Sequence, residues 1–543
     1  MRIPLRMTRQ RLIDMRNVLA FLTLGTVLAT TPVLAQKSAK HGDEKPNAEE
    51  KHEAEAAKPD PEAAVASAVE DAQPKQGSVT TAGGRKIEYT VTPGTLTIRN
   101  DAGDPIASMF YVGYVANRGK GDEHERPITF LFNGGPGSSS MWLHMGSWGP
   151  VRVDTPTATA YPSAPFHIGE NKLTLLDDSD LVFVDAIGTG LSRAVGKAKG
   201  EDFYGVDPDI DAFARAIQRY LTLNNRWNAP KFVYGESYGT LRAGGLVYAL
   251  QQRGIQTNGV VLQSSVLNYG VRQPGNNIGD LRLVPSYAAT AWYHKRLQNR
   301  PEALEPLLTE VRAWTRGPYL LALAQGDNLS EQDRQTIAQQ MSAYTGLSVP
   351  FILSTDLRVS LNRFRKELMR DQRSVVGRLD SRFVGTDVDS AGEQPDYDVT
   401  DTSMSGPYVA ALNKYLFGTL GYKTKLTYRP TFYEEVGGEH WSQKHKGPNG
   451  QKMALAATSL DLAATMRENP HLKVLSLNGY YDMATPFFGA EWDLAQLQVA
   501  PELHKNITIR YYESGHMIYI APEAMGKMKK DLDQFYSEAT SGK

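Results

Sequence analysis

The hydrophobic and polar positions divide the chain into stretches of different character. Residues 1–17 carry Arg2, Arg6, Arg9, Arg11 and Arg16, an apolar run continues from Val18 to about Leu28, and Val33, Leu34 and Ala35 close the segment. Basic, then apolar, then small residues is the order of a secretory signal peptide, here 1–35 with cleavage expected after Ala35. The apolar run is interrupted by Thr and Pro and is shorter than the roughly 20 residues that span a bilayer, so no stable membrane insertion is expected after cleavage. Residues 36–79 are rich in Lys, Glu, Ala and Pro and show no apolar period. They can bury too little surface to offset the entropy of ordering, which predicts a disordered charged linker, either plainly solvated or holding the folded domain away from a surface.

From Arg85 onward the pattern turns to strands: Lys86 to Thr92, Gly94 to Arg99, Ser108 to Val115 and Pro127 to Phe132. Beyond residue 180, short apolar runs alternate with helical periodicity, which predicts an α/β sheet with crossover helices rather than a sandwich. The runs are Leu181 to Val184, Lys231 to Tyr234, Gly259 to Leu262, Lys473 to Leu477 and Ile507 to Tyr512. Between the first two, Ile210, Phe213, Ile217, Tyr220 and Leu221 share one helical face. From 270 to 451 the strand rhythm is lost, and Pro301 to Arg316, Glu331 to Tyr344 and Asp356 to Asp371 read as helices, the charge on them being expected to form a solvated face. The predicted organisation is one α/β domain made of 80–269 and 452–540, with 270–451 as a largely helical inserted cap.

Composition narrows the chemistry. The 543 residues include no Cys, which excludes disulfide scaffolds, Cys-based metal sites and a thiol nucleophile. A formal charge of −1, which becomes −5 once five Arg and one Asp leave with the signal peptide, gives no nucleic-acid footprint. His440 and His445 lack the spacing of a metal motif, so neither a metal nor another cofactor is expected.

Gly235-Glu236-Ser237-Tyr238-Gly239 matches G-x-S-x-G. Such a match arises by chance in long chains, and a Ser in a Gly-rich surface turn is its plain reading. Here, however, it comes directly after the strand run Lys231 to Tyr234 and opens onto the helical stretch Leu241 to Leu250, the setting of a nucleophile elbow. A seryl hydroxyl needs an imidazole to take its proton and a carboxylate to orient the imidazole. Asp482 and His516 each stand just after a later strand run, giving the chain order Ser, Asp, His of the α/β-hydrolase arrangement. Asp185 also ends a strand run but precedes Ser237, so chain order favours Asp482. An oxyanion hole needs two N–H donors. One is expected from Tyr238, and the other from Asn133-Gly134-Gly135-Pro136-Gly137, whose glycines lack the Lys-Ser/Thr pair of a phosphate loop.

NGGPGSSS at 133–140, IGTGLS at 187–192, GESYG at 235–239, NGYYD at 478–482 and SGHM at 514–517 resemble, in order, the serine carboxypeptidase family, carboxypeptidase Y-like peptidases of α/β-hydrolase fold. The resemblance runs from about 80 to 540 and is weakest through 270–451. It implies Ser237 as nucleophile, His516 as base, Asp482 as its orienter, and the Gly135 and Tyr238 N–H groups as the oxyanion hole. It also implies that Asn133, Gly134 and Glu236 bind the carboxylate of a peptide substrate with a free C-terminus. Two departures stand out. Ser138 occupies a position where relatives commonly have Cys, and Ser147 stands where eukaryotic-type members have a Glu that shares a proton with the residue matching Glu236. Without that partner Glu236 loses one source of pKa elevation, so carboxylate recognition is expected to be weaker or differently built and the activity optimum less acidic. The overall expectation is an exported, periplasmic or extracellular serine-type carboxypeptidase acting through an acyl-enzyme. An esterase or acyltransferase on the same scaffold and a catalytically silent peptide-binding protein are the alternatives.

Overall fold

The computed structural model describes residues 66–117, 126–158, 163–436 and 440–541. The expected signal peptide and residues 36–65 of the expected linker lie outside the described residues. The chain builds one large mixed sheet from β1 (Lys75–Thr80), β2 (Lys86–Arg99), β3 (Pro105–Ala116), β4 (Ile128–Phe132), β5 (Asp180–Val184), β6 (Lys231–Glu236), β7 (Gly259–Gln263), β8 (Lys473–Gly479) and β9 (Ile507–Tyr512). Their spatial order is β1-β2-β3-β5-β4-β6-β7-β8-β9. The first three are antiparallel and β3 meets β5 antiparallel. From β5 to β9 every pairing is parallel.

Side-chain alternation in the parallel strands sends residues to opposite cores. Phe130, Phe132, Val233, Val260, Leu262 and Val474 face a cluster with the helices α1 (Val206–Leu223), α2 (Tyr238–Gln251) and α4 (Ser459–Glu468). Leu131, Phe232, Tyr234, Val261, Leu475 and Leu477 face the other, with α3 (Val399–Asn413) and α5 (Pro522–Thr540). Strands covered on both faces read as continuous apolar runs, which is why they are visible in the sequence. In α1 the five residues Ile210, Phe213, Ile217, Tyr220 and Leu221 are all buried, as their spacing predicts.

Three local expectations need revision. Lys75–Thr80, of which composition assigns all but Thr80 to the linker, is a strand whose backbone pairs with Lys86–Val91, and Val79 is the one side chain in it that is buried. Edge pairing of this kind is a backbone matter and leaves little apolar pattern. The two runs Lys86 to Thr92 and Gly94 to Arg99 are a single strand through Pro93, which lies past the last β1 pair, Lys75 with Val91; a strand tolerates a missing N–H at such a place. The stretch Asp356 to Asp371 is α-helical only over Leu361–Glu367, with a 3-10 turn beginning at Arg370, and its start is lost because Asp356 and Leu357 turn to positive φ of 51° and 63°.

The charges Glu305, Glu310, Glu331 and Asp333 of the other two helices are exposed as expected, but this short helix departs from a solvated face at two positions. Arg365 and Lys366 are buried, with Arg365 donating to the carbonyls of Val376 and Tyr397, each at 3.0 Å, and Lys366 paired with the Asp387 carboxylate. Within 270–451, residues from Leu281 to Val376 share a core with Tyr481, Met483, Phe487 and Phe488, which come after β8. The later Met404, Tyr408, Leu412 and Tyr415 instead join the core on one face of the large sheet.

Candidate active site

Register brings the chemistry together. Phe132 pairs with Gly235, Glu236 with Gln263, Gln263 with Leu477, and Gly479 with Tyr512. The residues that leave these strands, among them Asn133, Ser237, Ser264, Asp482 and His516, therefore emerge at one edge, the carboxyl ends of parallel strands where α/β sheets carry their sites.

Ser237 occupies the turn between β6 and α2 with φ of 62°. Its N–H donates to the Gln263 carbonyl at 3.1 Å, and its carbonyl accepts from Thr240 N at 2.8 Å and Thr240 Oγ1 at 2.7 Å. So tight a turn leaves no room at Gly235, where a Cβ would overlap the Gly239 carbonyl oxygen. Gly134 meets the same turn from the β4 side, where a Cβ would lie 2.5 Å from Tyr238 N. Non-Gly residues held at positive φ persist where surrounding structure over-determines them.

His516 and Asp482 meet below the surface. Nδ1 of His516 lies 2.8 Å from Oδ2 of Asp482, which is wholly buried. The other carboxylate oxygen accepts the N–H groups of Ala484 at 2.8 Å and Thr485 at 2.9 Å, and Thr485 Oγ1 donates to Oδ2 at 2.7 Å. On its other side the His516 backbone is clamped, its N–H donating to the Leu379 carbonyl at 2.6 Å and its carbonyl accepting from Ser264 Oγ at 2.6 Å. Burial works against the imidazolium, but the Asp482 carboxylate, with help from Glu236, more than offsets it and leaves the His516 pKa above the usual 6.5. Ser237 lines the same cavity as His516, and its Oγ makes no hydrogen bond with any described residue. Catalytic hydrogen bonds in ligand-free structures often close only when substrate arrives.

The loop after β4 is held from beneath. Asn133 Oδ1 accepts from Leu143 N at 2.9 Å, and the Asn133 carbonyl accepts from Arg242 at 2.8 Å. Arg242 is fully buried and paired with Asp209, which also accepts from the Tyr238 hydroxyl at 2.8 Å. Among the described residues, neither Gly135 N–H nor Tyr238 N–H donates to a protein acceptor, and Tyr238 opens α2, where helix N–H groups are unpaired by construction. Asp185, the rival acid, is spent on this loop, accepting from Ser140 N at 2.8 Å and Ser140 Oγ at 2.7 Å.

Glu236 departs from expectation. Ser147 is buried with its hydroxyl donated to the Leu143 carbonyl at 2.5 Å, so no second carboxyl is supplied there. Burial nevertheless pushes the Glu236 pKa up to about 7, against the pull of His516, Tyr519 and Asn133. Gln263 Nε2 donates to its Oε2 at 3.1 Å. The missing partner thus removes one source of elevation while desolvation supplies another.

These groups surround a cavity of about 350 Å³. Asn133, Gly134, Gly135, Glu236, Ser237 and His516 line it, while Asp482 and the Tyr238 side chain stay buried behind. Its remaining wall includes Trp142, Met517 and residues that motif reading missed: Arg378, Leu379, Asp398, Asp401 and Tyr433. No short motif marks these last five; a charged residue within a few positions of a glycine, as at Gly377-Arg378, is too common to serve as one. His445, dismissed as a metal ligand on spacing, has its two ring nitrogens at 2.5 Å from Asp207 and 2.8 Å from Asp461.

A family profile described as serine carboxypeptidase matches residues 93–367. Among solved structures, the chain is similar to a prohormone-processing carboxypeptidase from Saccharomyces cerevisiae, with 14% identity over 82% of this chain and 91% of that one and a TM-score of 0.50. A proline iminopeptidase from Mycobacterium smegmatis matches at 13% identity over 86% and 99% of the two chains, with a TM-score of 0.31. An acetylester hydrolase from Corynebacterium glutamicum matches at 12% identity over 86% and 96%, with a TM-score of 0.32. Comparison with curated proteins finds no match.

Proposed function

Since this chain belongs to the serine carboxypeptidase family, and is a serine hydrolase of α/β-hydrolase fold, we propose that it removes C-terminal residues from peptides through a Ser237-His516-Asp482 triad and an acyl-enzyme. One observation carries the reading: the buried His516–Asp482 pair, at 2.8 Å, opens onto the cavity where Ser237 sits on its strained turn. In this scheme Ser237 Oγ attacks the scissile carbonyl and His516 Nε2 takes its proton. Asp482, on Nδ1, holds the tautomer and stabilises the imidazolium. The unpaired N–H groups of Gly135 and Tyr238 receive the developing oxyanion. His516 then protonates the leaving amine, and water, activated by the same imidazole, releases the acyl group from Ser237. Asn133, Gly134 and Glu236 lie on the cavity wall as polar partners for the substrate's end. The order of residues in 1–35 supports export to the periplasm or beyond, a setting in which a chain without Cys forgoes disulfides.

An esterase or acyltransferase reading draws on Ser147, which leaves Glu236 without a partner carboxyl. The deciding experiment compares a blocked dipeptide with its C-terminal amide and with a simple aryl ester. The exopeptidase predicts a marked preference for the free acid; equal rates on acid and amide, or cleavage of the ester alone, reject it. Labelling by a fluorophosphonate that disappears in Ser237→Ala separates either enzyme from a silent binding protein.

A further inference from the structure

We propose that the guanidinium of Arg378 is the receptor for the substrate's C-terminal carboxylate, an inference that rests on the carboxypeptidase reading above. A carboxylate leaving water for a 350 Å³ cavity needs charged or strongly donating partners to offset its desolvation. Among the described residues lining that cavity, Glu236, Asp398 and Asp401 bring carboxyls, and Arg378 is the sole Lys or Arg.

Its surroundings separate a fixed backbone from a free head. The Arg378 carbonyl accepts from Met483 N at 3.1 Å, next to Asp482, and the next carbonyl, of Leu379, accepts from His516 N at 2.6 Å. The Arg378–Leu379 backbone is thus bound to both loops, Arg378 to the one that carries the acid and Leu379 to the one that carries the base. Asp398 holds it from the other side, its Oδ1 accepting from Arg378 N at 2.9 Å and its Oδ2 from Leu379 N at 3.2 Å. The side chain, by contrast, is exposed and forms no hydrogen bond or ion pair with a described residue. Most other Arg residues of this region are engaged: Arg365 with two carbonyls and Arg382 with Asp380.

The reaction geometry points the same way. His516 must reach the leaving nitrogen to protonate it. In a C-terminal residue that nitrogen and the carboxylate are separated by one Cα, so the carboxylate comes to rest within a few ångströms of the imidazole. Arg378 is the cation on the wall of the same cavity, one residue before the Leu379 carbonyl that holds the His516 backbone. Its charge also opposes the imidazolium of His516, and a substrate carboxylate seated on the guanidinium cancels that opposition at the moment the imidazolium forms. Substrates without the carboxylate leave it in place.

The experiment measures kcat and KM of the native protein, Arg378→Gln and Arg378→Lys on the blocked dipeptide acid, its amide and the aryl ester. One charge-assisted pair corresponds to a loss of about 10- to 150-fold. The expected result is that Arg378→Gln lowers kcat/KM on the free acid by that factor, mainly through KM. The aryl ester should not fall, because losing the charge that opposes the imidazolium favours it, and the Lys variant should recover part of the loss on the acid. The urea unfolding midpoint of each variant serves as the control for folding. Native preference for the acid with no change in Arg378→Gln overturns this proposal alone, and so does an equal fall on acid and ester. A native protein that ignores the free acid but cleaves the ester overturns the exopeptidase reading, and the proposal with it.

Discussion

Replacing Glu236 by Gln tests whether burial raises this carboxyl. The residue is 2% exposed, and its pKa moves from 4.5 to about 7 because the ionised form loses its hydration. At 1.36 kcal/mol per unit, that shift corresponds to about 3 kcal/mol. The folded-state value lies above the unfolded one, so the associated stability is fully present below pH 4.5 and is lost as pH rises through 7. Gln has no proton to lose and keeps a carbonyl oxygen to accept from Gln263 Nε2, which donates at 3.1 Å in the native chain. Urea unfolding of the native protein and Glu236→Gln, taken in parallel from pH 4.5 to 8, measures the difference. The variant should gain about 3 kcal/mol relative to the native chain across that range, most of it between pH 5 and 7. A difference flat to within about 1 kcal/mol would show that burial does not raise this carboxyl. It would mean that water or a bound cation solvates the carboxylate and that the site is wetter than its geometry implies.

Activity should track His516. Because its pKa stands above 6.5, kcat/KM of the native protein should rise with pH along a limb whose midpoint exceeds 6.5, and Glu236→Gln, by removing an anion that favours the imidazolium, should move that limb down. A pH–rate profile with an optimum near pH 4 to 5, about where paired acidic carboxyls act, would contradict this. Asp482→Asn should lower kcat by about 10⁴ with little change in the unfolding midpoint of the folded protein, since the amide presents the wrong partner to Nδ1; steady-state kinetics beside a melting curve check both halves. Away from the site, the carboxylates of Asp207 and Asp461 overcome burial to raise His445 to about 9. This ion triad stabilises the fold fully below pH 6.5 and is lost as pH rises through 9, a decline of up to about 3 kcal/mol that His445→Gln should abolish in unfolding measured across that window.

What was legible in the sequence was local. A buried strand, a glycine turn and a helix lie within the 21 residues from Lys231 to Gln251, and the constraints that make that turn act over a few bonds, so the turn that holds Ser237 could be read from its neighbours. Asp482 and His516 could be named as residues leaving later strands, because parallel strands place their carboxyl ends at one edge. Tertiary structure decided everything that depends on distance through space. Asp185 has the same local setting as Asp482, yet it ends on Ser140 and supports a loop. Glu236 keeps an elevated pKa without its partner, since desolvation is a sum over surrounding atoms drawn from many segments. Arg365 and Lys366 look like a solvated face and are buried against carbonyls and Asp387. Arg378, 141 positions from Ser237 in a stretch without motif, reaches the cavity because its backbone is tied to Met483 and its neighbour's to His516. Sequence determines which chemistry the chain carries on each turn; the field and the contacts around each group come from folding, because electrostatics and burial act across space and not along the chain.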